Sequence, residues 1–133
     1  MQFRLPVAVS PSASFKNRPF RERLGFALAG VATVFRRERS FRTQCALAGV
    51  ASVVTVGFAM GPLWAALVAI CIGVVLALEM ANASLEYLID LLHPEIAVEI
   101  KHAKDAAAGA VLVASGATAC VGLLMALEWL AIL

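Results

Sequence analysis

The sequence predicts an all-α integral membrane protein, with three transmembrane helices behind an N-terminal amphipathic interfacial helix. Three observations predict it. First, 62% of the 133 residues are hydrophobic and the mean hydropathy is +0.88. A soluble domain is nearer half apolar, and a small globule lacks the interior volume to bury such a surplus. Second, the apolar residues gather into long runs, and a spanning helix needs roughly twenty residues. Third, charge is segregated. Nine of the eleven Lys and Arg lie at or before Arg42, opposed there only by Glu22 and Glu38, a net +7. The remainder carries Lys101 and Lys104 against seven acids, a net −5.

A basic segment flanking apolar runs marks the cytoplasmic side and binds anionic headgroups. Nucleic acid is not the expected partner, because apolar residues fill the same stretch and no base-reading module follows. Cys45, Cys71 and Cys120 stand singly in apolar runs. They read as small apolar fillers, without CxxC spacing or a disulfide framework. The length suits one domain, of a size that can need partner copies to complete a site.

Residues 1–18 hold Pro6, Ser10, Pro11, Ser12 and Ser14 and read as a flexible tail. The membrane domain is expected over 19–133. A cleaved leader is not expected: four arginines, and no small-residue cleavage site, follow the run Phe26 to Phe35. Over about 19–38, Phe20, Leu24, Ala27, Val31 and Phe35 share one helical face, the pattern of a basic helix lying in the membrane interface. Glu38 lies five whole turns after Phe20, on that stripe if the helix runs unbroken. Two readings stay open. Either the helix ends near Arg37 and Glu38 is solvated, or Glu38 points into a protein site.

Spans are expected over about 43–60, 63–92 and 103–133, with a tight turn at Gly61-Pro62. The basic start places the N-terminus in the cytoplasm. Three crossings then place the His93–Lys104 connection inside and Leu133 outside. Lys101 and Lys104 agree with this orientation, and Trp64 and Trp129 fall at the outer interface. Ala106 with Ala110, and Gly109 with Gly116, allow close helix packing.

The second span carries the polar constellation. Glu79, Asn82, Glu86 and Asp90 fall at about 0°, −60°, −20° and +20° around a helix, one stripe. Ionisable residues at membrane depth are costly and mark function. A solvated helix end accounts for Asp90 well. It accounts poorly for Glu79, about 16 Å away along the axis and directly after an apolar run. Carboxylates with an amide can hold Mg²⁺ together with phosphate oxygens, or one can act as a general base toward a hydroxyl. Lys104, beside Asp105, offers a point positive charge to phosphate; a snorkelling lysine is its plainer reading. No Walker loop or kinase glycine-rich loop occurs. The same stripe also suits a non-enzymatic helical scaffold or ion pathway with an acid-lined cavity.

The string LEMANASLEYLIDLLHPE followed by KHAKDAAAGAVLVAS closely resembles the prokaryotic membrane diacylglycerol kinase/undecaprenol kinase family. The family pattern, roughly E-x-x-N-x-x-x-E-x-x-x-D and then A-K-D-x-A-A-G-A-V-L, falls on Glu79, Asn82, Glu86, Asp90, Ala103, Lys104, Asp105 and Gly109. Glu38 before Phe41-Arg42 fits the family's acid ahead of a Phe-Arg pair. The resemblance covers about residue 20 to the C-terminus. It implies a homotrimer with sites shared between subunits, in a bacterial plasma membrane, with the active site cytoplasmic. It implies an integral membrane lipid kinase that transfers the γ-phosphate of MgATP to a lipid hydroxyl. By that match Glu79 is the general base and Asn82 orients the catalytic groups. Glu38 and Glu86 are the Mg²⁺–ATP ligands. Lys104 and Asp105, with Asp90 and Glu95, are nucleotide contacts. Ile96-Ala97 depart from the Tyr-His pair of many members. The A-K-D-x-A-A-G-A-V-L wording looks more like the undecaprenol kinase branch, so undecaprenol is expected over diacylglycerol.

Overall fold

A computed structural model describes residues 18–92 and 97–132. Residues 1–17, His93, Pro94, Glu95, Ile96 and Leu133 lie outside the described residues, so the expectations for the tail and for Glu95 fall there. Four helices follow one another: α1 (Phe20–Arg37), α2 (Arg39–Gly57), α3 (Pro62–Leu92) and α4 (Val98–Ile132). No strand occurs among the described residues. Helices satisfy their own backbone hydrogen bonds, which lipid cannot do.

The chain divides into two compact units, Met1–Thr33 and Val34–Leu133. In the described part of the first, every residue from Arg18 to Thr33 is exposed. The Pro19 carbonyl accepts the first α1 hydrogen bonds, from the Glu22 and Arg23 N–H groups. Arg18 pairs with Glu22 at 3.1 Å on the surface, a contact of the class that contributes about 1 kcal/mol at most.

In the second unit α2 and α4 each pack against α3, while their own backbones stay apart. A small core of Val34, Phe41 and Ala83 joins the end of α1 to α2 and α3, with Cys45, Leu76, Met80 and Tyr87 packed on it. Elsewhere large apolar side chains lie open, Val53, Val56, Leu112 and Val113 among them. An apolar surface of this extent suits lipid or partner copies, not water.

The joints have identifiable causes. α1 ends at Arg37, and Glu38 is a single extended residue (φ −96°, ψ 119°) before α2. Arg42 Nη1 donates to the Phe35 and Arg36 carbonyls, each at 3.1 Å. It thereby satisfies acceptors that a helix C-terminus leaves open. At the far end of α2, the Ala59 N–H reaches the Val56 carbonyl and the Met60 N–H reaches the Thr55 carbonyl. This is a Schellman arrangement, but its left-handed position is held by Ala59 (φ 48°) where glycine is usual. Pro62 then opens α3 at a position with no helical N–H to lose.

α3 and α4 are the two described helices long and apolar enough to cross a membrane. At 31 residues α3 extends to about 46 Å, more than the hydrocarbon thickness of about 30 Å. α2 has 19 residues, and Arg39, Arg42 and Gln44 in its first turns leave a shorter apolar stretch. α2 begins at Arg39, ahead of the expected 43, and α4 at Val98, ahead of 103.

Candidate functional site

Because α2 and α4 both lean on α3 while their own backbones stay apart, a cleft opens over one face of α3. Its volume is about 460 Å³, and its floor is Glu79, Asn82 and Glu86. Ser40 and Gln44 of α2 form one wall; Ala108, Val111, Leu112 and Ser115 of α4 form the other. The 3.6-residue period places the three polar α3 side chains on that face, as their offsets require.

Glu79 is 6% exposed, and no hydrogen bond or ion pair engages its carboxylate among the described residues. A buried carboxylate is costly without a compensating partner. Asn82 Nδ2 donates to Glu86 Oε1 at 2.9 Å, while Asn82 Oδ1 is buried without a donor. Ser115 Oγ is buried and unpartnered too. Most helical hydroxyls here bond back to the carbonyl four residues earlier, as Ser52, Thr55, Ser84 and Thr118 do. Ser115 does not, and it stands on the cleft wall. A second cavity of about 210 Å³ shares Gln44 and Ser115, then runs between apolar side chains including Ala48, Ala51, Ile72 and Val75. The polar cleft therefore adjoins an apolar slot.

Of the other expected site residues, the described ones, Glu38, Asp90, Lys104 and Asp105, do not line the cleft. Glu38 is half-buried, and its Oε1 accepts the Tyr87 hydroxyl at 2.6 Å. The helix ends where the plainer reading of Glu38 had it, yet the side chain turns to protein rather than solvent. Asp90 does not share the cleft with the rest of its stripe. It pairs with Lys104 across α3 and α4. Asp105 is exposed. One chain thus holds three separate groupings: the Glu79–Asn82–Glu86 floor, Glu38 with Tyr87, and Asp90 with Lys104.

Ser40, Gln44, Tyr87 and Ser115 were not singled out in the sequence. Tyr87 follows Glu86, so it lies about 100° off the polar stripe. Its partner is 49 residues away, beyond any helical offset. Ser115 is an isolated polar residue in an apolar run, and that isolation was the available signal; Gln44 directly follows Arg42-Thr43 and carried none.

A family model described as prokaryotic diacylglycerol kinase matches residues 25–126, more than half of the chain. No curated protein and no solved structure matches it.

Proposed function

Because the chain belongs to the prokaryotic diacylglycerol kinase family, a family of membrane lipid kinases, we propose that it transfers the γ-phosphate of ATP to a long-chain lipid alcohol. The observation that carries this reading is the buried, unpartnered Glu79 on the floor of a cleft that adjoins an apolar slot. Such a cleft can take a lipid hydroxyl at its polar end and the chain in the slot.

Glu79 takes the proton as the hydroxyl oxygen attacks the γ-phosphorus. The bond from that phosphorus to the β–γ bridging oxygen breaks, and ADP leaves. A base of this kind contributes about 10²–10⁴-fold. Asn82 holds Glu86 through Nδ2, and its Oδ1 is open to a donor such as the acceptor hydroxyl. Lys104 supplies positive charge to phosphate oxygens. An ammonium has three donors, so it can keep Asp90 and still serve the nucleotide, with Asp90, Glu95 and Asp105 as further contacts.

The donor chemistry fits a divalent cation. Mg²⁺ takes one or two carboxylates together with phosphate oxygens and water, and Glu38 and Glu86 would supply them. No group of three or more His, Cys, Asp or Glu able to hold a metal occurs among the described residues. When bound, Mg²⁺ neutralises charge on the phosphates during transfer.

The separation of Glu38 from the cleft floor supports a site completed between copies, in a homotrimer with three spans per subunit. The charge segregation supports a plasma-membrane location with the N-terminus and site cytoplasmic. The motif A-K-D-x-A-A-G-A-V-L at Ala103 to Leu112 supports undecaprenol over diacylglycerol. Parallel assays of purified protein with each lipid in mixed micelles test this choice. A kcat/KM at least tenfold higher for undecaprenol is expected; a higher value for diacylglycerol reverses the assignment.

A further inference from the structure

Glu38 sits at the one extended residue between two helices, and as the N-cap of α2 its side chain makes no capping hydrogen bond. Neither helix therefore sets its rotamer, and a glutamate side chain has substantial freedom to lose. One contact does set it. Tyr87 Oη donates to Glu38 Oε1 at 2.6 Å. Tyr87 is itself held on two sides. Its ring packs on the Val34–Phe41–Ala83 cluster, and the Arg37 guanidinium carbon lies 5.8 Å from the ring centroid, within cation–π reach. Tyr87 is not part of the cleft wall; it holds Glu38 from the flank.

We propose that Tyr87 is a positioning residue for Glu38: its hydroxyl takes Oε1 and leaves Oε2 to bind the divalent cation that accompanies the nucleotide. The inference rests on the lipid kinase reading and on the metal role assigned there to Glu38. Carboxylates that ligate metals are themselves hydrogen-bonded by outer partners, and losing such a partner costs about 10–100-fold in metal affinity or activity. Mg²⁺ demands near-ideal octahedral geometry at short distances. A carboxylate on an extended joint meets that demand only if something outside the joint orients it. Here the phenol does so, and the buried cluster and Arg37 anchor the phenol.

Tyr87→Phe isolates the effect, because the ring keeps its packing and its contact with Arg37 while the donor is lost. The full chain in detergent is titrated with Mn²⁺ in place of Mg²⁺, with a saturating non-hydrolysable ATP analogue and no lipid acceptor, followed by electron paramagnetic resonance. Binding about tenfold weaker than wild type is expected. In turnover, the Mg²⁺ concentration for half-maximal rate should rise by about the same factor, with the KM for lipid unchanged. A merely structural role would shift both constants or neither.

Wild-type Mn²⁺ affinity in Tyr87→Phe overturns the proposal. If Glu38→Gln weakens binding in the same titration, the fault lies with Tyr87 alone. If Glu38→Gln also binds as wild type, the metal role of Glu38 falls with it. A wild-type protein that binds Mn²⁺ but phosphorylates no lipid leaves the positioning result standing and rejects the kinase reading instead.

Discussion

Asn82 Nδ2 donates to Glu86 Oε1 at 2.9 Å, one turn along α3, and its own Oδ1 is buried with no donor. The residue therefore gives one hydrogen bond and keeps one acceptor in reserve on the cleft floor. Asn82→Leu removes both. Turnover should fall by about 10–100-fold, the loss found when a group that orients ligands is removed, with helix content by circular dichroism unchanged.

Glu79→Gln keeps the size of the side chain but cannot take a proton. Turnover should drop by about 10²-fold or more, while thermal protection by a Mg²⁺–ATP analogue stays near wild type. Loss of protection together with turnover would place Glu79 in nucleotide binding instead of proton transfer.

Lys104 and Asp90 pair across α3 and α4 with side chains 32% and 66% exposed. A pair this open contributes about 1 kcal/mol or less to stability. Lys104→Ala should thus barely shift the unfolding midpoint. It should raise the KM for ATP about tenfold, as loss of a charge-assisted hydrogen bond of about 1.5 kcal/mol implies. A large loss of stability with an unchanged KM would make the pair a structural strut.

Ser115 stands where the polar cleft meets the apolar slot. Ser115→Leu narrows that junction. The KM for a lipid alcohol should rise several-fold while the KM for ATP holds, measured by varying each substrate in turn. An effect on ATP alone would contradict the placement of the acceptor chain.

Ala59 occupies a left-handed position at the α2 C-terminus, which costs a residue with Cβ about 1 kcal/mol or more. Ala59→Gly relieves that cost and returns part of it through a looser unfolded chain. A net gain of about 0.5 kcal/mol is expected in a denaturation titration in mixed detergent.

What the sequence made legible was local. Charge segregation and apolar runs need only counting. The Glu79–Asn82–Glu86 floor needs only the helical period, because all three lie on one helix. Asp90 shares that period yet lies outside the floor, about 16 Å from Glu79 along the axis, where it pairs with Lys104 of α4, and the offsets carry no information about α4. For Glu38 two readings stood open, a solvated helix end or a side chain pointing into a site. The helix does break at Glu38, sealed by Arg42 on the α1 carbonyls, yet the side chain meets Tyr87. The early start of α4 was hidden because Glu99 and Lys101 read as a connection, although an acid in a first turn favours a helix there. The Tyr87–Glu38 contact joins residues that no local pattern relates.

The most direct test of the account follows label from [γ-³²P]ATP into lipid, with undecaprenol and diacylglycerol offered separately to purified wild-type protein and to Glu79→Gln. Label should enter the lipid extract for wild type, undecaprenol foremost, and fall to background for Glu79→Gln. No label in either lipid with wild-type protein and Mg²⁺ present, or equal label with Glu79→Gln, would contradict it.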